Sequence, residues 1–221
     1  MSFLNFDLTT LLARVIVLMT ALPVHEAAHA YAAMRMGDDT AYYSNRLTFN
    51  PLHHIDPIGA VMILFLGVGF AKPVPVNSMR FRDRKKGIVV TSLAGPLSNI
   101  VLAFLAMVVT KLLFAGYLAS GAALARGAYR VFSIMVSINI ALAVFNLLPI
   151  PPLDGYHAVM PFLPAETAWK IQQYERQIVW ILLLLVWVGL LNAPLRFFNN
   201  LFYSLVDSAT FFVDPLMRAA L

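Results

Sequence analysis

Residues 131–153 read VFSIMVSINIALAVFNLLPIPPL, and no Asp, Glu, Lys or Arg interrupts them. Two further uncharged stretches of similar length cover residues 87–110 and 177–195. A helix of about 20 apolar residues is long enough to cross the hydrocarbon core of a membrane, which is roughly 30 Å thick. Continuous apolar runs without polar alternation favour helices over barrel strands. We therefore predict an all-α, polytopic membrane protein.

The composition of the whole chain agrees with a membrane location. Of the 221 residues, 60% are hydrophobic and only 12% are charged, and the mean hydropathy is +0.76. Soluble domains carry about 25% charged residues. The net charge of +5 comes mostly from Lys and Arg in loops, so membrane topology explains it better than binding to nucleic acid, which we do not expect. The chain has no cysteine, which excludes disulfides, thiolate metal ligands and a cysteine nucleophile.

Six hydrophobic segments can be drawn along the chain. Segment B is short for a span and contains three glycines, which predicts a re-entrant or buried helix. Segment F is interrupted by Asn199, Asn200 and Asp207, so it either spans the membrane or lies in its interface. The segments are A (8–35), B (58–70), C (87–117), D (129–148), E (178–191) and F (195–213).

The basic residues indicate how these segments are oriented. Eight of the sixteen Lys and Arg residues lie between Arg35 and Lys86. Cytoplasmic loops carry an excess of Lys and Arg, so we place this region in the cytoplasm. Segment A then enters from outside, C leaves and D returns. We expect a multi-pass protein of a prokaryotic cell (inner) membrane.

The loop after segment A contains residues that favour strands. Residues 40–50 read TAYYSNRLTFN, in which β-formers flank a Ser-Asn turn. This pattern predicts a small β-hairpin. Asp38 and Asp39 precede it, and we interpret both as solvated loop charges.

A metal-binding pattern lies inside segment A, where residues 25–29 read HEAAH. The spacing of His25 and His29 places both imidazoles on one helical face, where they can hold one Zn²⁺ with Glu26 beside them as general base. A chance match is the alternative interpretation. However, ionisable side chains within a membrane helix are costly and usually functional, which favours a metal site.

A zinc hydrolase needs a third protein ligand and one open position. Asp154 follows segment D directly after a Pro-rich break, and Gly155 permits a turn behind it. In the predicted topology Asp154 and His29 lie at similar depth near the cytoplasmic side. We therefore predict Asp154 as the third ligand. The alternative is a solvated loop carboxylate that caps the next helix.

Together, these motifs resemble those of the site-2 protease family, the intramembrane zinc metalloproteases. The resemblance rests mainly on HEAAH at 25–29, AGPLSN at 94–99 and NLLPIPPLDG at 146–155, and it covers about residues 14–160. The chain resembles a short form of the family, and we expect neither the PDZ domain nor the nucleotide-binding domain that many members carry. Further matching stretches are RLTFNP at 46–51, HIDP at 54–57 and AKPVPVN at 71–77.

The resemblance implies the architecture and the chemistry. It implies one Zn²⁺ per chain, held by His25, His29 and Asp154, with Glu26 as the catalytic base. It also implies a three-helix catalytic core from segments A, C and D, with β-hairpin elements near the site. The expected partners are membrane lipids and a transmembrane protein substrate, cleaved within or near its transmembrane segment and usually after another protease has trimmed it. We expect a single domain over residues 1–221, with the core at about 8–160 and C-terminal hydrophobic segments at about 177–214.

Four other polar residues are candidates for supporting roles. Asn99 and Asn146 either hold substrate backbone and stabilise an oxyanion, or form hydrogen bonds between helices. His157 is close to the predicted carboxylate ligand and either supports it from behind or lies at the interface. His54 either plays such a supporting role or forms a structural hydrogen bond with the loop around Asp56.

Two other classes of protein would use the same residues. The first is a membrane metal transporter or sensor that passes an ion through the His/Asp cluster. The second is a non-catalytic scaffold that keeps the motif as a structural remnant. The intact Glu26 argues against both, because neither function requires a general base.

Overall fold

The computed structural model describes residues 8–66 and 71–218. Within them the chain is built from helices, and three of these are long and apolar enough to cross a membrane. The all-α membrane architecture predicted from the uncharged runs is therefore confirmed. The helices are α1 (Leu8–Met36), α2 (Thr40–Tyr43), α3 (Pro57–Leu66), α4 (Arg84–Ser120), α5 (Ala123–Asn146), α6 (Asp154–Val159), α7 (Ala165–Gln173), α8 (Glu175–Val188), α9 (Asn192–Ala209) and α10 (Asp214–Arg218).

The three spanning helices are α1, α4 and α5, which correspond to segments A, C and D. Helix α4 starts three residues before segment C because the side chain of Asp83 accepts a hydrogen bond from Lys86 N at 3.0 Å and caps the first turn. It ends at Ser120, and the next residue, Gly121, has a left-handed backbone (φ +64°) that suits a glycine.

Small side chains allow these three helices to approach closely. Helix α4 packs against both α1 and α5, and α1 also contacts α5. Alanines are prominent among the buried positions, as is usual where membrane helices meet. The buried alanines of the three helices are Ala13, Ala21, Ala27, Ala30, Ala32, Ala33, Ala103, Ala106 and Ala143.

Segment B forms α3, which starts where the side chain of Asp56 accepts hydrogen bonds from the backbone of Ile58 and Gly59. Ile55 pairs with Ala71 in an antiparallel bridge, so the two ends of the segment lie side by side. The segment therefore begins and ends at the same side of the protein. Its last four predicted residues, 67–70, lie outside the described residues.

The β-hairpin predicted at residues 40–50 is wrong. Residues 40–43 form the short helix α2, and the rest of this stretch consists of turns and bends without a strand. Asp38 is the physical reason, because its buried carboxylate accepts a hydrogen bond from Thr40 N at 3.1 Å and starts a helical turn there. Sequence propensity for strands is overridden by this local contact.

Asp38 is not the solvated charge that the sequence predicts. Its side chain is 0% exposed, and its second oxygen accepts a hydrogen bond from Asn77 N at 2.6 Å. Arg46 is also buried, and its guanidinium donates to the carbonyl oxygens of His53 and Lys72. These two residues fasten the loop after α1 to the extended segment that precedes α4.

The C-terminal segments E and F form α8 and α9, which meet at an angle of 82° and make either a broken span or a re-entrant loop. Helix α9 packs against α4 and α5. Beyond it, Lys111 of α4 forms ion pairs with Asp207 at 3.0 Å and Asp214 at 2.7 Å. These three residues, the Lys111 cluster, hold the C-terminal part of the chain against α4.

Candidate metal centre

The structure brings His25, His29 and Asp154 together. The two Nε2 atoms are 3.1 Å apart, and Asp154 Oδ2 lies 3.3 Å from that of His25 and 3.4 Å from that of His29. Their side chains are mostly buried, with exposed fractions of 11%, 12% and 20%. We call these three residues the ligand triangle, and they form a group that could hold a metal ion.

The dimensions of the ligand triangle suit a zinc ion. Zn–N and Zn–O bonds of about 2.0–2.2 Å in a tetrahedron separate neighbouring ligand atoms by about 3.3 Å. Moreover, Asp154 Oδ2 is buried and has no hydrogen-bond partner of good geometry. A buried carboxylate oxygen that faces two imidazole nitrogens without a hydrogen bond is expected of a metal ligand.

Asp154 reaches the ligand triangle because the chain turns back sharply after α5. A Cβ atom at Gly155 would lie 2.6 Å from the carbonyl oxygen of Leu148 and still closer to that of Leu147. Only glycine permits this approach, which sets Asp154 at the first position of α6. Burial by itself raises the pKa of Asp154, but the nearby imidazoles of His25 and His29 outweigh burial and hold the pKa well below its ordinary value. The carboxylate is therefore ionised at neutral pH, as metal binding requires.

Helix α4 forms the wall behind the two histidines. Thr91 O accepts a hydrogen bond from His29 Nδ1 at 2.7 Å, which leaves the lone pair of Nε2 directed to the ligand triangle. A Cβ atom at Gly95 would lie 2.6 Å from His25 Nε2 and still closer to His29 Nε2. Gly95 therefore leaves open the space in front of both nitrogens.

Glu26 lies next to the ligand triangle and is half-buried. Its Oε2 accepts a hydrogen bond from Val74 N at 3.2 Å. Val74 belongs to an extended segment whose ends are fixed by the bridge at Ala71 and by the hydrogen bond from Asn77 N to Asp38. One backbone donor thus orients a carboxylate beside the ligand triangle.

The metal centre lies toward the basic end of the helices. Arg82 N donates to Met36 O at 3.0 Å, so the end of α1 and the start of α4 are neighbours. His25 and His29 lie about 10–16 Å from that end of α1 at the rise of an α-helix. The exposed basic residues at this end are Arg35, Arg80, Arg82, Arg84, Lys85 and Lys86.

The other candidate residues lie in different surroundings. Asn99 is 1% exposed and contacts His25 Nδ1 from α4 at 3.1 Å. Asn146 donates to Leu142 O within its own helix, and its function in substrate binding stays a prediction.

Among the described residues, neither of the other two candidate histidines, His54 and His157, joins the ligand triangle. His54 is buried and forms its hydrogen bond through Nε2 with Thr48 O at 2.8 Å, away from Asp56. His157 packs against the ring of Tyr156, and among the described residues no hydrogen bond or ion pair links it to Asp154. Support of the metal ligands by either histidine therefore stays a prediction.

Sequence reasoning missed the part played by Thr91 and Gly95. Both lie on one face of α4 with Asn99, at spacings of four residues. That spacing was a usable signal, because residues four apart on a helix share a face. The sequence alone does not tell which face of α4 meets α1.

Comparisons with known proteins bear on this site. The model of a family described as Peptidase family M50 matches residues 114–190, which include Asp154. The candidate zinc metalloprotease YwhC of Bacillus subtilis (strain 168) is 42% identical over 173 residues, covering 78% of this chain and 79% of that protein.

More distant relatives carry similar names. The candidate zinc metalloprotease Rip2 of Mycolicibacterium smegmatis is 33% identical over 199 residues, covering 86% of this chain and 71% of that protein. The candidate zinc metalloprotease MJ0611 of Methanocaldococcus jannaschii is 28% identical over 156 residues, covering 70% of this chain and 72% of that protein. No solved structure matches the chain at a significant level.

Proposed function

The chain belongs to peptidase family M50, and on that premise we propose that it hydrolyses a peptide bond within or near the transmembrane segment of a membrane protein. It is an integral membrane zinc metalloprotease. The cofactor is Zn²⁺, and we assign His25, His29 and Asp154 as its ligands and Glu26 as the catalytic base. One observation carries the proposal: the ligand triangle is formed by two residues of a membrane-spanning helix, α1, and by the first residue of α6, the short helix that follows the spanning helix α5.

The location of these residues favours cleavage within the membrane over cleavage in solution. His25, Glu26 and His29 belong to α1, which is apolar enough to span. Polar side chains at such depth are costly unless they serve a function. A substrate that reaches them must bring its peptide bond to the same depth, which a transmembrane segment does.

Held by His25, His29 and Asp154, a Zn²⁺ ion would act as a Lewis acid for the scissile carbonyl and would lower the pKa of the attacking water. The carboxylate of Glu26 takes a proton from that water and passes it to the leaving amide nitrogen. The hydrogen bond from Val74 N holds one of its oxygens in place during this transfer. The hydrogen bond from His29 Nδ1 to Thr91 O keeps that ring from turning.

The basic residues support a position of the site toward the cytoplasm. They are exposed at the end of the helices that lies nearer the ligand triangle. Under the positive-inside rule this end is cytoplasmic. The three relatives named above come from Bacillus subtilis, Mycolicibacterium smegmatis and Methanocaldococcus jannaschii, all of them prokaryotes, which supports a prokaryotic cell membrane.

The test is Glu26→Gln, which removes the base but keeps the shape of the side chain. Wild type and variant are reconstituted in liposomes with single-span test proteins whose outer tail is short, and cut positions are read by mass spectrometry. We expect wild type to cut within or near the transmembrane segment. The variant should hold the same amount of zinc and cleave about 10²–10⁴-fold more slowly.

The same variant serves as a trap in cells. Glu26→Gln should retain uncut membrane proteins that wild type releases, and these identify natural substrates. Full cleavage by the variant, or cleavage confined to soluble tails, would contradict the proposal. If wild type carries zinc across the liposome membrane without cleaving any test protein, and Glu26→Gln carries it equally fast, a transporter would be supported instead.

A further inference from the structure

The buried side-chain amide of Asn99 contacts His25 Nδ1 from α4. The other contact between α4 and the two histidines joins His29 Nδ1 to a backbone carbonyl oxygen, that of Thr91. Thr91 O is a carbonyl and can only accept, so it fixes the proton of neutral His29 on Nδ1. Asn99 offers either an NH₂ donor or a carbonyl acceptor to His25 Nδ1, and the two orientations have the same shape.

The two orientations have opposite consequences for His25. If Asn99 Nδ2 donates to His25 Nδ1, the proton of the neutral ring lies on Nε2, the atom that faces His29 and Asp154. Asn99 Oδ1 is then buried without a hydrogen-bond partner. If the amide is turned, Oδ1 accepts from His25 Nδ1, and the Nε2 lone pair is free to bind a metal.

We propose that Asn99 is a positioning residue of the metal centre, whose Oδ1 accepts a hydrogen bond from His25 Nδ1 and so fixes the ring and the tautomer that binds zinc. This proposal rests on the metal site of the proposed function. Asn99 is 1% exposed and lies on the α4 side of His25, so it has no surface for substrate. Asn99 therefore acts on catalysis indirectly, through zinc affinity. This role differs from the stabilisation of an oxyanion, which was one of the two roles that the sequence suggested for Asn99.

The stripe of Thr91, Gly95 and Asn99 gives this proposal its geometry. Successive members are four residues apart on α4, and each meets the histidine pair at a different point. Thr91 orients His29, Gly95 leaves space before both nitrogens, and Asn99 orients His25. One face of α4 thereby fixes both imidazoles of α1.

The test compares the zinc dissociation constants of three variants, measured with Zn²⁺ alone by chelator competition in detergent. Asn99→Leu removes the acceptor, and we expect zinc affinity to fall about 10–100-fold. Asn99→Asp keeps only acceptor atoms, so it selects the same tautomer, and we expect affinity within about threefold of wild type.

Asn139→Leu is the matched control. Asn139 is also 1% exposed, but its Nδ2 donates to Met135 O in its own helix. We expect wild-type zinc affinity for this variant, which separates loss of a buried amide from loss of the contact to His25.

Two results would overturn the proposal: wild-type affinity in Asn99→Leu, or an Asn99→Asp variant that has lost tenfold or more. If Asn99→Leu does not fold, the affinity of Asn99→Asp decides alone. The readout needs no proteolysis, so a wild type that binds zinc but cleaves nothing would overturn the proposed function and leave this result standing.

Discussion

The ligand triangle and the Lys111 cluster both place ionisable side chains among apolar helices, but they differ in how their charges are balanced. In the Lys111 cluster one ammonium group is paired with two carboxylates, at 2.7 and 3.0 Å. In the ligand triangle two imidazole nitrogens and a carboxylate oxygen face one another, and Asp154 Oδ2 has no hydrogen-bond partner. A polar cluster that supplies its own counter-charge is typical of a structural contact, whereas one whose facing atoms are imidazole nitrogens and a carboxylate oxygen is suited to bind a cation.

The largest expected effect comes from exchanging one carboxylate for an amide in each cluster. Asp154→Asn removes a charged ligand. Zinc affinity should therefore fall by more than the about 100-fold that is typical when a residue hydrogen-bonded to a ligand is lost. Cleavage should fall to background. Asp214→Asn should keep zinc and activity, because Asp207 still pairs with Lys111. Metal content and cleavage rate of the two variants are measured side by side. Equal zinc loss in both would contradict the distinction between a metal-binding ligand triangle and a structural Lys111 cluster.

A second large effect is expected at Gly95. In Gly95→Ala the added Cβ would lie within 2.6 Å of both imidazole Nε2 atoms, in the space that an ion needs. We expect zinc content near zero, although alanine favours the helix over glycine by about 1 kcal/mol. Gly127→Ala is the control, since a Cβ there meets no atom within 4 Å. Wild-type zinc in Gly95→Ala would place the ion elsewhere.

A smaller effect on stability is expected from Lys111→Met, which keeps the length of the side chain but removes its charge. Asp207 and Asp214 lose their partner, yet both are partly exposed, so we expect a loss of about 1–2 kcal/mol in unfolding free energy. Thermal unfolding in detergent measures it. Zinc affinity should not change; a loss of zinc would show that the two clusters are coupled.

The smallest effect is expected at Val74, whose backbone N–H donates a hydrogen bond to Glu26. Val74→Pro removes the N–H that donates to Glu26 Oε2. The loss of one hydrogen bond of about 1 kcal/mol should slow cleavage about fivefold without changing zinc content. Val74→Ala keeps the N–H and should cleave like wild type. Equal rates for the two variants would remove Val74 from the mechanism.

Much of the fold could be predicted because the membrane imposes simple rules. Uncharged runs of the required length gave α4 and α5, and hydrophobic segment A gave α1. The third uncharged run, 177–195, falls instead on the bent pair of α8 and α9. The spacing of His25 and His29 is fixed by the helix itself. The basic residues also placed Asp154 and His29 at the same side. These predictions needed only local pattern and membrane thickness.

The remaining features depend on which side chains meet after packing. Strand propensity at residues 40–50 gave the wrong structure because Asp38 turns inward and its carboxylate accepts a hydrogen bond from Thr40 N, at the start of a helical turn. In the same way, Gly95 and Asn99 are ordinary small and polar residues until α4 is packed against α1. Their contacts with His25 come from helix rotation, which a single sequence does not specify.

The central claim, that the ligand triangle holds the zinc of this protease, is tested most directly by anomalous scattering at the zinc edge from crystals of the wild-type protein. We predict one peak per chain, about 2.0–2.2 Å from His25 Nε2, His29 Nε2 and Asp154 Oδ2. A peak at another place, or none after growth with added Zn²⁺, would contradict the account.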